Sequence, residues 1–270
     1  MSADPNPSEL AGRPLLAESR RTAISALLRA QGAVTIAELE QRFGISAMTA
    51  RRDLGELERQ GVAQRTHGGA VVPSVSTHED AFTRRVGIAA EAKSALARAA
   101  VETLVAGETV FLDSSTSAYY VARRIVDEGV GVTVITNSIP IIELIAVSSV
   151  PRLNLVGVGG RLRELTRSFV GPFAVQTVLG HFADRVFFSV KGITRGVMTD
   201  PDDLEAEVKR SMLAQAERTV LLVHGSKLAL RGVSVVGRVG DLSDVLAYET
   251  TPEQQEQLQA PGVQLRVVGP

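Results

Sequence analysis

Apolar positions recur along this chain first with a helical period and later as short β-branched runs. The change of period divides it in two. Ile36, Leu39 and Phe43 repeat at helical spacing and Gly44 supplies a stop, which predicts a short helix opening at Thr35. Thr35 and Glu38 form a capping-box pair, in which each side chain bonds the other residue's backbone amide. Ile45 can plug the core, and Ser46 then caps a second helix running to about Gln60. At ~100° per residue, Ala47, Ala50, Leu54 and Leu57 share one side of that helix. Met48, Thr49, Arg52 and Arg59 lie on or beside the other side, with Gly55 among them. Beyond Gly61, Val62–Thr66 and Ala70–Val72 are predicted strands around His67-Gly68-Gly69.

Helix, tight turn, second helix and glycine-tipped hairpin are, in that order, the parts of a winged helix-turn-helix. A helix that buries one side and offers Thr, Met and Arg on the other suits the major groove of double-stranded DNA. Its N-terminal residues reach base edges while Ser46 and backbone amides meet phosphate. Arg51 falls near the boundary of the two faces, as a phosphate contact or the partner of an acidic side chain. Arg65 and His67 sit where a wing meets backbone or minor groove. With Thr35, these residues complete the candidate DNA-binding set. Across residues 20–72 eight arginines face five acidic side chains, a local +3, so the ordered elements carry this reading more than charge does. The alternatives are a small helical domain with solvated arginines and a winged helix used for protein contact.

These residues resemble the DeoR family of bacterial transcription regulators. The resemblance lies in Ser46-x-x-Thr49-x-Arg51-Arg52-Asp53-Leu54, in Leu57-Glu58-x-x-Gly61 and in Arg65-Thr66-His67-Gly68-Gly69-Ala70. Ala50 stands where that family more usually has an aliphatic residue such as Ile, which thins the packing beneath the second helix.

The remainder reads differently. Residues 73–81 (PSVSTHEDA) form a polar linker, and Phe82, Arg85 and Lys93 lead into an Ala-rich helix from about Ala89 to Val105. Strands at Thr109–Asp113, Val132–Thr136, Arg152–Val158, Asp184–Val190 and Thr219–Val223 are then separated by helices. Those helices fall at Ser117–Glu128, Ile139–Val147, around Phe173–Leu179, and at Leu204–Ala216. Short strands are also predicted at Val245–Tyr248 and Gln264–Val268. Strands without alternation, separated by helices, indicate a mostly parallel sheet covered on both faces. The fold class expected is therefore α/β: an N-terminal winged helix-turn-helix followed by a Rossmann-like, mostly parallel α/β sensor domain. The expected boundaries are a disordered tail over 1–14, the winged helix over 15–73 and a linker over 74–88. A ligand-binding domain over 89–255 and a C-terminal extension over 256–270 follow.

In such sheets ligands gather beyond the carboxyl ends of strands, at helix starts. Three such places carry polar or glycine-rich chemistry: Asp113-Ser114-Ser115-Thr116-Ser117, Thr136-Asn137-Ser138, and Gly159-Gly160-Arg161. The first brings four hydroxyls to a helix start, where free amides and the helix dipole attract an anion. Two further strand ends carry Lys191-Gly192 and His224-Gly225-Ser226-Lys227. Lys93, Lys191, Lys209 and Lys227 are the only lysines, every other basic side chain apart from four histidines being Arg. That usage points to sites where a compact ammonium on a flexible stem is required, and Lys191, Lys209 and Lys227 are expected to surround a phosphorylated ligand. This half resembles the effector domain of the DeoR family through Asp113–Ser117, Thr136–Ser138, Gly159-Gly160, Gly171, Asp184–Gly192, Gly196, Glu205, Lys209 and Ser226-Lys227. The resemblance implies the fold of ribose-5-phosphate isomerase and CoA transferases, and a phosphorylated sugar as effector. Ser115 and Ser117 replace a Gly and a Thr of the family's first loop, and His224 stands where an Asp is common.

Composition narrows the classes. A net charge of −1 over 270 residues excludes a generally polybasic binder. The absence of cysteine excludes disulfides and thiolate chemistry and suits a reducing cytoplasm. The scattered histidines predict no metal, and neither a cofactor nor a membrane span is expected. The rival to a regulator is an isomerase- or deaminase-like enzyme drawing an acid–base set from Asp113, Asp184, Asp200, Glu205 and Lys227. A winged helix buries too little surface for operator specificity alone, so a homo-oligomer, dimer or tetramer, is expected.

Overall fold

A computed structural model describes residues 17–31, 33–59, 62–66, 68–71 and 79–269. The expected tail over 1–14 and His67 lie outside the described residues. The chain divides into two compact units, Met1–Ser74 and Val75–Pro270.

The first unit runs α1 (Ala17–Gln31), β1 (Ala33–Thr35), α2 (Ile36–Phe43), α3 (Ala47–Arg59), β2 (Gln64–Thr66) and β3 (Gly69–Val71). Thr35 caps α2, its side chain accepting from the Glu38 amide at 3.1 Å, and Gly44 ends it in the left-handed region at φ 61°. Only this half of the expected capping box forms among the described residues. Thr35 is also the last residue of β1, paired with Gly69, so its backbone belongs to a ladder as well as a cap. Strand β1 and helix α1 are additions to the sequence-based elements. The sheet order is β1-β3-β2, and Gly69 makes the central contact possible: a Cβ there would lie 2.0 Å from the Val34 carbonyl oxygen.

Ile24, Leu28, Leu39, Ala50, Leu54 and Leu57 close the core of this unit. Each buried Leu or Ile contributes roughly 1.5–3 kcal/mol. Ala50, the expected thin point, is fully enclosed. Beside this core Asp53 of α3 is 2% exposed and ion-paired to Arg20 of α1 at 2.6 Å, with Arg21 at 3.8 Å.

The second unit opens with α4 (Phe82–Gly87), α5 (Ala90–Val101), β4 (Thr109–Leu112), α6 (Thr116–Glu128), β5 (Thr133–Thr136), α7 (Ile139–Ala146) and β6 (Asn154–Gly157). It continues with β7 (Arg161–Arg163), β8 (Ser168–Val170), α8 (Pro172–Leu179), β9 (Ala183–Phe188), β10 (Gly192–Thr194), β11 (Val197–Asp200) and α9 (Asp203–Ala214). Then come β12 (Ala216–His224), β13 (Ser234–Arg238), β14 (Asp244–Tyr248), α10 (Pro252–Glu256) and β15 (Gln264–Val268).

Seven of these strands form one sheet in the order β15-β14-β12-β9-β4-β5-β6, with every neighbouring pair parallel. Successive residues of β4 feed opposite layers. Val110 and Leu112 enter one core with Val134, Phe187 and Leu222, while Phe111 enters the other with Ile135, Phe188 and Leu221. Both faces are covered, as the continuous apolar runs require.

Three features depart from the expected layout. Residues 264–268, set outside the ligand-binding domain by their weak pattern, form the edge strand β15 of the main sheet. The stretch read as a linker ends in α4, whose Phe82 is buried edge-on against Tyr119. Two small antiparallel sheets, β7–β8 and β10–β11–β13, lie in segments that carried no strand signal; runs of three to five residues are too short for periodicity to show. Among the described residues no helix is long and apolar enough to cross a membrane.

Candidate DNA-reading face and switch-point anion site

Helix α3 starts where Ser46 Oγ accepts from the Thr49 amide at 3.3 Å and lies 3.1 Å from Thr49 Oγ1. Burial of Ala50, Asp53, Leu54 and Leu57 turns the opposite side outward: Met48 is 74% exposed, Arg51, Arg52 and Arg59 are exposed, and Thr49 is half-buried. Arg59 pairs with Glu56 one turn back. Arg65, from β2, is exposed with its backbone amide held by Glu58 at 2.9 Å. Its Nη1 lies 3.9 Å from where a Cβ on Gly55 would sit, so the wing arginine joins the α3 face. Thr35 is exposed at the start of α2. Hence α3 and the hairpin assemble one surface from Met48, Arg52, Gly55 and Arg65. Asp53 faces away from it, committed to α1.

In the second unit the chain leaves β4 toward β5 and β6 on one side, then returns through β9 toward β12 on the other. The strand order therefore reverses between β4 and β9, and the crevice beyond their carboxyl ends is the switch point of the sheet. Asp113 follows β4 and Ser189 follows β9. Asp113 Oδ2 accepts from the Ser189 amide at 3.2 Å, and Oδ1 accepts from Ser115 through both its amide (3.0 Å) and its hydroxyl (2.5 Å). Ser115 caps α6 by accepting from the Ala118 amide at 3.1 Å, with ordinary φ −72°. A serine thus does here what needs no glycine.

Lys209 of α9 reaches this point from below. Its ammonium lies 3.0 Å from Asp113 and 2.7 Å from Asp200, and donates to the Ser189 carbonyl at 2.6 Å. Burial alone would lower its pKa, but the two carboxylates outweigh that and raise it, so the ammonium is permanently charged. All three of its protons have internal acceptors. Lys209 therefore holds Asp113 and Asp200 in place, a different task from the anion contact expected of it.

Lys227 differs. It follows His224, whose Nδ1 accepts from the Ser226 amide at 3.2 Å and whose Nε2 is 3.0 Å from Glu249; the ring does the capping that an Asp would do. Lys227 Nζ donates to the neutral Ser189 hydroxyl at 2.6 Å. Burial, then Lys209 and Lys93, push it down to about 7. Lys191 is half-buried and also lowered, chiefly by burial, while its backbone amide donates to Asp200 at 2.7 Å. Glu205 of α9 is 5% exposed and accepts from Ser114 at 2.7 Å, Thr166 at 2.6 Å and Ser168 at 2.5 Å.

Thr116 and Ser117 are buried at the start of α6 and make no side-chain hydrogen bond among the described residues. Thr136 accepts from the Ser138 amide at 3.1 Å, and Asn137 Nδ2 donates to the Phe169 carbonyl at 2.9 Å. Among the described residues Asn137 Oδ1 and Ser138 Oγ are buried without partners. Gly159, Gly160 and Arg161, by contrast, are exposed. Gly160 serves packing, since a Cβ there would lie 2.8 Å from the Val170 carbonyl. Arg163 enters the buried cluster in place of Arg161, 2.8 Å from Glu79 and 3.3 Å from Asp202. Sequence reasoning missed Arg163, Ser189, Thr166 and Ser168, which belong to short strands or strand ends with no motif of their own. An open cavity of about 540 Å³ lies elsewhere, at the amino ends of β12, β14 and β15, among Arg218, Asp241 and Gln264.

An exposed arginine-bearing helix with its wing, joined in one chain to a parallel sheet with a polar switch point, defines a DNA-binding regulator carrying a sensor unit. Profiles of two domains match: the DeoR-like helix-turn-helix domain over residues 20–76 and the DeoR C terminal sensor domain over residues 88–247. The chain belongs to the DeoR family of transcriptional regulators. The transcriptional repressor AccR of Agrobacterium fabrum is 33% identical over 247 residues, covering 88% of this chain and 94% of that protein. A lactose phosphotransferase system repressor of Staphylococcus epidermidis is 28% identical, covering 88% and 94%. Ribose 5 phosphate isomerase A of Neisseria gonorrhoeae overlaps 52% of this chain and 54% of its own at 14% identity, with a TM-score of 0.38. At that score the overlap is too loose to define a common fold, and the sheet topology carries the α/β assignment instead. The named relatives are repressors, which places this chain among regulators.

Proposed function

We propose that this protein represses genes of carbohydrate metabolism and that a phosphorylated sugar bound at the switch point changes its affinity for operator DNA. The observation that carries the effector reading is the pair of buried, unpartnered oxygens, Asn137 Oδ1 and Ser138 Oγ, at a strand end neighbouring the start of α6. Buried polar atoms are nearly always satisfied, so a polyhydroxyl ligand suits the two, donating to Asn137 Oδ1 and donating to or accepting from the Ser138 hydroxyl. The phosphate goes to the α6 start, where the amides and hydroxyls of Thr116 and Ser117 meet the positive helix end, with Lys227 and Lys191 as cations. Asp113, Ser114, Ser115, Glu205 and Lys209 hold the walls. The name of the lactose phosphotransferase system repressor supports a sugar-linked role.

On the DNA side, Met48, Thr49 and Arg52 read base edges, while Thr35, Ser46, Arg51, Arg59 and Arg65 meet backbone. Because one winged helix reads one half-site, two or more copies act together. Ligand binding then weakens or strengthens the operator complex through its unequal affinity for the two arrangements.

A mobility-shift assay on DNA upstream of the protein's own gene, repeated with a panel of aldose, ketose and amino-sugar phosphates, tests this. At least one of them should alter the shift at millimolar concentration or below. Indifference to the whole panel, or turnover of a panel member by pure protein, would sink the proposal.

A further inference from the structure

Helix α4 is the first helix of the sensor unit in chain order, and three neighbours pin it. Lys93 Nζ of α5 donates to the Arg85 and Ile88 carbonyls at its carboxyl end, each at 2.5 Å. Tyr120 of α6 donates to the Val86 carbonyl at 3.2 Å, and the Phe82 amide donates to Leu165 at 2.8 Å. This anchoring carries Arg85 into a group of like charges. Arg85 shares Glu79 with Arg163, whose guanidinium lies 4.0 Å from Glu205, the acceptor of the Ser114 hydroxyl beside the α6 start. The Arg85 charge lowers the pKa of Lys93, Lys191 and Lys227, although Asp80 and Glu79 raise Lys191 more than Arg85 lowers it. Of the acids nearby, Asp113 and Asp200 pair with Lys209, Asp202 with Arg163, and Asp80 with Arg84 at 3.0 Å. Arg85 itself has a loose contact to Glu79, Nη1 to Oε1 at 3.4 Å, and Glu79 is shared with Arg163. Among the described residues its Nε and Nη2 are buried without a hydrogen-bond acceptor, and Glu79 Oε2 is likewise buried without a hydrogen bond.

A buried guanidinium edge without acceptors is costly. The edge left open is one geometry with which Arg grips phosphate, two parallel N–H groups on two oxygens. We propose that Arg85 is a ligand-binding residue of the switch-point site, its Nε and Nη2 donating to the phosphate group that Lys227 and Lys191 also face. This rests on the reading of that site as a phosphate site. It adds that the phosphate is gripped by the segment of chain leading back to the DNA-binding unit.

Inorganic phosphate is the probe, titrated against full-length protein at constant ionic strength, with the melting of the sensor unit as readout. Arg85→Gln should raise the phosphate concentration needed for half the stabilisation about tenfold or more, as should Lys227→Gln. Arg84→Gln, next in sequence but paired with Asp80, should leave it unchanged. Arg85→Lys keeps the charge without the fork, and should lose about threefold or more even if the Gln variant fails to fold. Wild-type response in either Arg85 variant, with the response lost in Lys227→Gln, would overturn this inference and leave the proposed function standing. No response in the wild type would overturn both.

Discussion

In the DNA-binding unit Arg51 and Arg52 are exposed on α3, whereas in the sensor unit all four lysines of the chain are wholly or partly buried, and Lys209 and Lys227 meet at Ser189 in the switch-point crevice. The first arrangement suits a large, uniformly anionic partner. Exposed guanidinium groups keep their charge at any working pH, act over roughly a Debye length of 10 Å at 0.1 M salt, and cost nothing to leave unpaired. The second suits a small ligand. Removing water makes each neighbour matter, so the same crevice holds an ammonium clamped by two carboxylates, Lys209, and one driven toward neutrality, Lys227. The difference teaches that basic side chains in one regulator stand in two electrostatic settings, and that burial with its partners, not residue type, sorts them.

The sharpest way to break this comparison is to remove the clamp. Lys209→Met leaves Asp113 and Asp200 facing each other without a counter-ion. It should cost the sensor unit about 3–5 kcal/mol, measurable by denaturant unfolding followed by circular dichroism. A loss under about 1 kcal/mol would mean the carboxylates are not held by Lys209.

On the exposed side, Arg52→Ala should weaken operator binding roughly ten- to a hundredfold with folding unchanged. Arg218→Ala, which removes a partner of Asp244 in the sensor unit, should leave the mobility shift as it was. Equal effects from the two would remove α3 from the groove.

The most gradual expected effect is one of pH. Lys227 titrates near 7 when folded, against an ordinary value of 10.5, because of burial and the nearby ammonium groups of Lys209 and Lys93. Between those values the unfolded chain holds a proton that the folded chain releases, so this group makes stability rise with pH across that window. Anion binding needs the ammonium and runs the other way. Affinity for sulfate, whose own charge is constant here, should fall by up to about tenfold per pH unit above 7. A flat sulfate profile to about pH 9 would show that Lys227 does not contact the anion.

Much of the DNA-binding unit was legible in advance because its signals are short-range. A cap acts across three residues, as Ser46 does on Thr49, and one helix period sorts Ala50 and Leu54 from Met48 and Arg52. What stayed hidden there was the Arg20–Asp53 pair, 33 residues apart, since no spacing rule links a residue of α1 to one of α3. In the sensor unit the polar strand ends stood out against apolar runs, and the rarity of lysine drew attention to Lys191, Lys209 and Lys227, though Lys93 was not placed with them. Their separate roles did not stand out. Nothing local to Lys209 says that its partners are Asp113 and Asp200, and nothing local to Lys227 says that it faces a hydroxyl.

Chain-local information was therefore enough for the seven strands of the main sheet, most of the longer helices, the Thr35 and Ser46 caps and the polar character of the strand ends, because hydrogen bonds and side-chain periodicity act within a turn or two. The pairing of charges had to await assembly. Inserting β9 beside β4 brings Ser189 onto Asp113, and the crossing of α9 behind them delivers Lys209 and Glu205. Electrostatic free energy depends on distance and burial, and neither exists for these groups until the sheet has closed.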